Sequence, residues 1–250
     1  MPVPTSGIDH VHLNVADIAG FIERFTALLE CEHNIPLYID SIQALNSMNS
    51  LGLDVFEPQE PEGIAAKQMA RFGGPGITTL SFHVEDLDSA TAAIEAEGVR
   101  CISRIGYPGV ERQSQFHPRD CYGMVLELVE YVDGHEAVIA EIKAKQAAEN
   151  DGRTGIPSQP GALANRGIDH AHVRVEDLAA VQAWLSRLFV CEWDEPRTAG
   201  ARTARSSIGV HLVEAPANGL GALAFAVDDL AAAEGHCAAL GLSRLDVEGH

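Results

Sequence analysis

Polar and apolar side chains alternate near the start of the chain. The alternation runs from His10 to Val15, and it has the period of a strand with one face exposed. Asp17 follows at a position where a helix N-cap carboxylate is favourable. Apolar residues then recur at helical spacing at Phe21, Phe25, Leu28 and Leu29. The pattern predicts a strand, an acidic turn and an amphipathic helix that packs on a sheet.

Short β-branched or apolar runs follow, and each has the length of a strand. Three come after the first helix, at 34–39, 42–45 and 51–56. A second acidic turn at Asp86 predicts a second helix, and three more runs follow it at 100–105, 112–117 and 124–131. Strand, helix and three strands, occurring twice, predict an α+β protein built from βαβββ units.

Two stretches of the chain repeat each other at a constant offset of 160 residues. Gly7 to Glu32 and Gly167 to Glu192 share the pattern G-I-D-H-x-H, a later aspartate and a cysteine. Leu80 to Gly98 and Leu223 to Gly241 form a second matching pair, at an offset of 143 residues. Each of these stretches has the pattern of a strand, an acidic turn and a helix. The chain is therefore predicted to be a duplicated module, and each module to contain two units.

These repeats predict the domain boundaries. Module one spans 1–133, a charged helical stretch and a Gly/Pro-rich linker span 134–166, and module two spans 167–250. Module one continues for about 33 residues beyond Gly98, whereas only nine residues follow Gly241. Module two is therefore expected to lack its last two strands. Either this half closes differently, or another chain covers its open edge, or the sequence is shortened.

Composition narrows the class of protein. With 36 acidic and 17 basic residues the formal net charge is -19, which disfavours nucleic acid and membrane surfaces as partners. The net charge does not exclude a small anionic ligand, because a few local Arg or Lys residues can determine the charge of a pocket. No apolar run is long enough to span a membrane, and the start lacks the features of a signal peptide. Five widely spaced cysteines without a C-x-x-C pair favour a cytoplasmic protein with reduced thiols.

Three segments carry a family resemblance: IDHVHLNVAD, SFHVEDLDSATAAIEAEGVR and FHPRDCYGMVLELVEY. They resemble the vicinal-oxygen-chelate superfamily, which includes glyoxalases, bleomycin resistance proteins and dioxygenases. The resemblance covers roughly 7–131, and 167–245 more loosely. The segment DVFEPQEPEGIAAKQMARFGGPGI is closest to methylmalonyl-CoA epimerase-like members. The resemblance implies that two βαβββ units curl into a cup that holds a divalent metal ion, and that a homodimer forms.

Metal ligands are implied position by position. The first ligand falls on His10, the next on Asp54 and the closing glutamate on Glu127. Thr79 stands where the second histidine is expected, and a threonine hydroxyl is a poor ligand for zinc, cobalt, nickel or iron. His10, Asp54 and Glu127 can still hold a divalent ion, and Mn, Fe, Co, Ni and Zn are not distinguished. A site without any metal is the alternative.

Other residues near this site leave further alternatives open. A site slipped along the strands uses His12 and His83, and otherwise His12 packs or contacts substrate. The superfamily's catalytic base falls near Gln43, which cannot accept the proton, so Asp40 is the alternative base.

In module two, fewer of the implied ligand positions carry a residue that can bind a metal. His170 and His211 correspond to the first two ligands, and Ala222 replaces the second histidine. Two histidines seldom bind a metal tightly, so module two is expected to be structural.

The resemblance favours a metal-dependent lyase, isomerase or epimerase. Its substrate is a small carbonyl acid or an acyl-CoA, the metal stabilises an enolate, and Glu127, His12 and Asp40 are the candidate catalytic residues. A metal-free binding protein, or a metal-free enzyme that uses His12 and Glu127, is the alternative. A ring-cleaving extradiol dioxygenase is a third hypothesis, although it requires two histidines and a glutamate in module two.

Overall fold

The computed structural model describes residues 1–107, 109–133, 135–199 and 201–243, and one curled sheet of eight strands organises the first half. The strand order is β3-β4-β5-β1-β6-β9-β8-β7. The elements of this half are β1 (Ile8–Asn14), α1 (Ile18–Leu28), β2 (Glu32–His33), β3 (Leu37–Ile39), β4 (Ala44–Met48), β5 (Leu53–Pro58), α2 (Ile64–Arg71), β6 (Gly76–His83), α3 (Leu87–Ala96), β7 (Cys101–Tyr107), β8 (Glu111–Phe116) and β9 (Val125–Tyr131).

A helix and a short bridge strand connect this sheet to a second one. The remaining elements are α4 (His135–Glu149), β10 (Ile156–Pro157), β11 (Ile168–Val175), α5 (Leu178–Leu188), β12 (Arg197–Ala199), β13 (Ala201–Arg205), β14 (Val210–Glu214), β15 (Gly219–Phe225) and α6 (Leu230–Ala239). The second sheet has the order β12-β13-β14-β11-β15, and β10 pairs with β2. Within the described ranges, no helix combines the length and the apolar character needed to cross a membrane.

The five strands of the second sheet repeat the arrangement of β3, β4, β5, β1 and β6 in the first sheet, and the predicted α+β class with tandem units is confirmed. In the first half β1 pairs in parallel with β5 and antiparallel with β6. In the second half β11 pairs in the same way with β14 and β15. The predicted absence of two strands from module two concerns the chain after α6, and residues 244–250 lie outside the described residues. The predicted domain boundaries stay a prediction.

Several predicted elements are shorter or shifted. The run at 34–39 forms a strand only over β3, and the run at 42–45 contributes only its last two residues to β4. Gln43 lies in the turn between these strands with φ 56, a backbone conformation that non-glycine residues seldom adopt. Helix α2 was not predicted, because its eight residues are fewer than the window over which a helical period is read.

The acidic turns are N-caps, and they occur four times. In each case the aspartate side chain accepts a hydrogen bond of 2.9 to 3.0 Å from the backbone N–H three residues later. The caps are Asp17, Asp86, Asp177 and Asp229. Such a cap stabilises a helix by about 1 kcal/mol. The same local signal therefore begins one helix in each of the four units.

A shared apolar core joins the two modules. The ring of Phe82 on β6 packs against Phe189, which follows α5, with ring centroids 4.9 Å apart. Tyr122 packs on Trp184 with centroids 5.1 Å apart. Val3 also lies against module two, since its backbone N–H donates to the carbonyl of Leu188 over 2.7 Å. These contacts predict that the modules unfold together.

Replacement of Phe189 by alanine should destabilise both modules. The ring is fully buried against Phe82, so its loss should lower the free energy of unfolding by about 3 to 5 kcal/mol. The two tryptophans, Trp184 and Trp193, both lie in module two, so tryptophan fluorescence reports on that module and far-ultraviolet circular dichroism on the whole chain. Both signals should shift together in urea, whereas the exposed control Val190→Ala should leave them unchanged. Separate transitions would contradict a shared core.

Candidate metal centre

Strand β1 places two histidines on one face of the sheet. His10 and His12 are two residues apart, so their side chains point the same way. In the sheet register His12 lies opposite Asp54 on β5, and His10 lies opposite Ser81 on β6. Ser81 in turn lies opposite Glu127 on β9. The curl of the sheet brings side chains from three strands, β5, β1 and β9, together over the small Ser81.

Four donor atoms converge in this region. Nε2 of His10 lies 3.1 Å from Oε1 of Glu127 and 3.2 Å from Nε2 of His12. Nε2 of His12 lies 3.5 Å from the same Glu127 oxygen and 3.7 Å from Oδ2 of Asp54. Ligand atoms of His10, His12 and Asp54 all lie within 4.8 Å of one another, and the fully buried Glu127 adjoins the two histidines.

Neighbouring side chains fix the orientation of each donor. Nδ1 of His10 lies 2.7 Å from Oδ1 of Asp9, and the hydroxyl of Tyr131 donates to the same oxygen over 2.6 Å. An ionised carboxylate only accepts, so Nδ1 of His10 carries a proton and Nε2 is directed into the cluster.

The two carboxylates are held in a similar way. Nε2 of Gln115 donates to Oε2 of Glu127 over 2.7 Å, which leaves Oε1 directed at the histidines. The amide of Asn46 donates to Oδ1 of Asp54, which leaves Oδ2 directed at His12. The donor atoms are therefore positioned by contacts outside the cluster.

Charge and burial compete at these groups. Burial lowers the pKa of His10, but hydrogen bonds and charges from Asp9 and Glu127 outweigh it, so the pKa lies well above its ordinary value. Burial opposes ionisation of Glu127, but the charges of His12 and His10 and hydrogen bonds to both rings outweigh it and hold its pKa well below the ordinary value. Burial raises the pKa of Asp54. Glu127 thus carries a buried negative charge that requires positive neighbours.

This donor set fits a divalent metal ion. The lone pair of His10 Nε2 faces a carboxylate oxygen at 3.1 Å, and two such acceptors are stable together only with a proton or a cation between them. With metal–ligand bonds of about 2.0 to 2.2 Å, neighbouring ligand atoms lie roughly 2.8 to 3.6 Å apart, close to the separations in this cluster. Two nitrogen and two oxygen donors suit Mn, Fe, Co, Ni or Zn.

The structure brings together the three sequence-predicted ligands, His10, Asp54 and Glu127, and adds His12. Their role as ligands remains a prediction. Thr79 lies beside His12 in the strand register, so the ring of His12 occupies the side of the cluster where a second histidine was expected. The H-x-H pattern of both modules was the sequence signal for this second nitrogen donor.

Other sequence-predicted residues lie apart from the cluster. Asp40 is exposed in the turn between β3 and β4, and neither it nor Gln43 lines the cavity described below. The ring of His83 stacks on Tyr131 with centroids 5.7 Å apart, and it is not among the converging groups. A catalytic role for Asp40 remains a prediction without a contact that favours it.

A cavity of about 1800 Å³ opens over the cluster. His12 and Asp54 line its floor, and its walls include residues of α2, β7, β8 and α4. Four basic side chains contribute to the lining, although the chain as a whole is strongly acidic: Lys67, Arg71, Arg119 and Lys145. The donor cluster is therefore accessible to a ligand much larger than water.

Glu111 is a second ionisable group in this cavity, and the sequence analysis missed it. Its carboxylate accepts a hydrogen bond of 2.7 Å from Gln113. Burial raises the pKa of Glu111 to about 7; the charge of His10 opposes this shift, and Glu127 and Asp54 add to it. The predicted strand began one residue too late, at Arg112. The available signal was the polar series Glu111, Gln113 and Gln115, which alternates along β8 and lines the cavity.

Module two also differs from its sequence prediction. His170, His172 and His211 each direct a ring nitrogen into one cluster, so the expectation of only two neighbouring histidines is wrong. The prediction counted only positions that match the resemblance, and it overlooked the fact that His172 repeats His12. Of the five cysteines, Cys31 and Cys121 are buried and Cys101, Cys191 and Cys237 half-buried, and all five are free thiols.

Part of module one matches a known protein family. Residues 9–116 match the family model of the glyoxalase/bleomycin resistance protein/dioxygenase superfamily. The resemblance stated from the sequence is thereby confirmed. No curated protein matches the chain.

Among solved structures, methylmalonyl-CoA epimerases are similar to about half of the chain. The enzyme from Mycobacterium tuberculosis is 26% identical, with a TM-score of 0.46, over 52% of this chain and 91% of that protein. A Streptomyces coelicolor epimerase variant in complex with 2-nitronate-propionyl-CoA is 24% identical, with a TM-score of 0.46, over 51% of this chain and 99% of that protein.

Replacement of Asp9 by asparagine should weaken metal binding by roughly 10- to 100-fold. The amide no longer favours the tautomer that presents Nε2 of His10 to the cluster. Titration of the apoprotein with Mn²⁺ or Zn²⁺, followed by calorimetry, measures the affinity. Asp40→Asn, an exposed aspartate of module one, is the matched control and should bind like the wild type. Equal affinities for both variants would show that Asp9 does not orient the ligand.

The Glu111→Gln variant should be more stable than the wild type at high pH only. Because the pKa of Glu111 is raised to about 7 in the folded protein, the group has no effect on stability below the unfolded value near 4.5. It lowers stability progressively as pH rises from 4.5 to 7, and the full loss is present above 7. The metal-free variant should gain about 1 to 3 kcal/mol at pH 8 and almost nothing at pH 4.5. Urea unfolding at both pH values measures this, with the exposed Glu85→Gln as control. A gain independent of pH would contradict the assignment.

Proposed function

We propose that module one is a metal-dependent lyase or isomerase that removes the proton next to the carbonyl group of an acyl-CoA thioester. One observation carries this proposal: a cavity is lined both by His12 and Asp54, which cluster with His10 and adjoin Glu127, and by a carboxyl group with a pKa of about 7, Glu111. A hydrogen next to a thioester carbonyl is weakly acidic, so its removal requires both a base and stabilisation of the resulting negative charge.

His10, His12, Asp54 and Glu127 are the residues that would hold the metal. A divalent ion bound there supplies Lewis acidity that polarises a carbonyl oxygen. Glu127 suits this role better than proton transfer, because both histidines and Gln115 keep its carboxylate ionised and fixed. His12 likewise serves as a donor in this assignment, and its ring lies between the two carboxylates.

Glu111 is the proposed base. Its ionised carboxylate takes the proton from the carbon next to the carbonyl, and the electron pair of that C–H bond moves toward the carbonyl oxygen. Delivery of a proton from solvent to the opposite face of the same carbon completes an epimerisation, and Glu111 then releases its proton to solvent. Loss of a group from the neighbouring carbon completes a lyase reaction instead. A base with a pKa near the working pH is suited to both directions of transfer.

The cavity favours an acyl-CoA over a small carbonyl acid. Pockets for drug-sized ligands have volumes of about 300 to 1,000 Å³, and this one is larger. Its basic lining residues offer partners for phosphate groups in a chain whose overall charge repels anions. The expected homodimer and cytoplasmic location remain predictions.

Exchange of the substrate's proton with deuterated solvent tests the proposal directly. The metal-loaded protein is incubated in D₂O with a panel of acyl-CoA thioesters that includes methylmalonyl-CoA, and deuterium in the acyl group is followed by mass spectrometry. The rate of exchange in Glu111→Gln should be at least about 100-fold lower than in the wild type. The rate should rise with pH up to about 7, because Glu111 must be ionised to accept the proton.

Two controls separate this proposal from its alternatives. Gln113→Glu keeps Glu111 but alters its hydrogen-bond partner, so it should shift the pH profile and not abolish exchange. Tight acyl-CoA binding without exchange in any metal-loaded sample would favour the binding-protein alternative. Full exchange activity in Glu111→Gln would contradict the assignment of the base.

A further inference from the structure

Module two contains a cluster of three histidines, whereas module one has two histidines and two carboxylates at the equivalent place. His170 and His172 lie on β11, and His211 lies opposite His172 on β14. Nε2 of His170 lies 2.9 Å from Nε2 of His172, and the ring of His211 packs against both with centroids 5.2 and 4.7 Å away. One nitrogen from each ring lies within 4.8 Å of the other two.

The orienting contacts of module one are repeated here with different partners. Nδ1 of His170 lies 2.7 Å from Oδ2 of Asp169, as His10 does from Asp9. Arg205 donates to the same Asp169 oxygen over 2.7 Å, which replaces the tyrosine contact of module one. The contact with Asp169 directs Nε2 of His170 toward His172.

Small side chains leave space beside the cluster. Strand β15 places Ala224 opposite His170 and Ala222 opposite His172. The three histidines are half-buried, so water or a ligand can reach them. In the described part of module two, no strand pairs with the outer edge of β15 as β9 pairs with β6 in module one. Among the described residues, no paired strand therefore supplies a counterpart of Glu127 to this cluster.

We propose that His170, His172 and His211 form a second metal site, specific for zinc-class divalent ions and open at its fourth position. Three imidazole nitrogens suit Zn²⁺, Co²⁺ and Ni²⁺, whereas the two carboxylates of module one shift preference toward harder ions. The two modules thus differ in metal preference at equivalent places of one fold. This second site does not depend on the function proposed for module one.

Metal stoichiometry in four proteins tests the proposal. The wild type, His12→Ala, His172→Ala and the double variant are equilibrated with Zn²⁺ or Co²⁺, desalted and analysed by mass spectrometry of the metal. The wild type should retain two equivalents, each single variant one, and the double variant none. His236→Ala removes a module-two histidine outside the cluster and should retain two.

The spectrum of bound Co²⁺ identifies the site independently. Four-coordinate Co²⁺ absorbs visible light much more strongly than six-coordinate Co²⁺. The strong band should persist in His12→Ala and disappear in His172→Ala. If His172→Ala does not fold by circular dichroism, His211→Asp replaces it, since module one carries Asp54 at this position and retains a donor. That variant should lose zinc preference over manganese by at least tenfold.

The possible results separate the two metal sites. Unchanged stoichiometry and an unchanged Co²⁺ spectrum in His172→Ala would overturn the second site, as would unchanged metal preference in His211→Asp. One equivalent in the wild type that is lost only in His172→Ala would support the second site and contradict the module-one centre. One equivalent lost only in His12→Ala would do the reverse.

Discussion

The pairing of β1 with β5 on one side and β6 on the other is the constraint on which the site depends. Because β1 is parallel to β5 and antiparallel to β6, His12 lies between Asp54 and Thr79, and His10 lies beside Ser81. A slip of one residue would turn both histidines to the helix side of the sheet. The buried Val11 and Leu80 oppose such a slip, since their side chains would then face the cavity. The apolar core therefore positions the polar cluster.

The same strand pairing occurs in both modules, but different residues at equivalent positions give the two clusters different chemistry. The strand β11 has the same two partners and the same H-x-H pair, so both modules direct two imidazole rings to one point. Module one adds two carboxylates, from β5 and β9, whereas module two adds only the imidazole of His211. A buried glutamate such as Glu127 needs strong compensating charge, which the neighbouring histidines and the proposed cation would provide. The softer, more open cluster of module two has no such requirement.

Most of the fold and part of the site could be predicted from the sequence. Repeats and alternation predicted the units, and the acidic turns predicted the helix starts, because both signals are local. His10, Asp54 and Glu127 followed from the resemblance. The proposed role of His12 did not, because it depends on the position of His12 beside Thr79, which lies on another strand. Glu111 was also missed, since its raised pKa arises from burial and from carboxylates distant in sequence. Such properties belong to the tertiary structure.

A crystal structure of the protein with Mn²⁺, with data collected to locate anomalous scattering, tests the central claim most directly. The account predicts an anomalous peak about 2.0 to 2.3 Å from Nε2 of His10, Nε2 of His12, Oδ2 of Asp54 and Oε1 of Glu127. A peak that excludes His12, or the absence of any peak among these four atoms at saturating Mn²⁺, would contradict it.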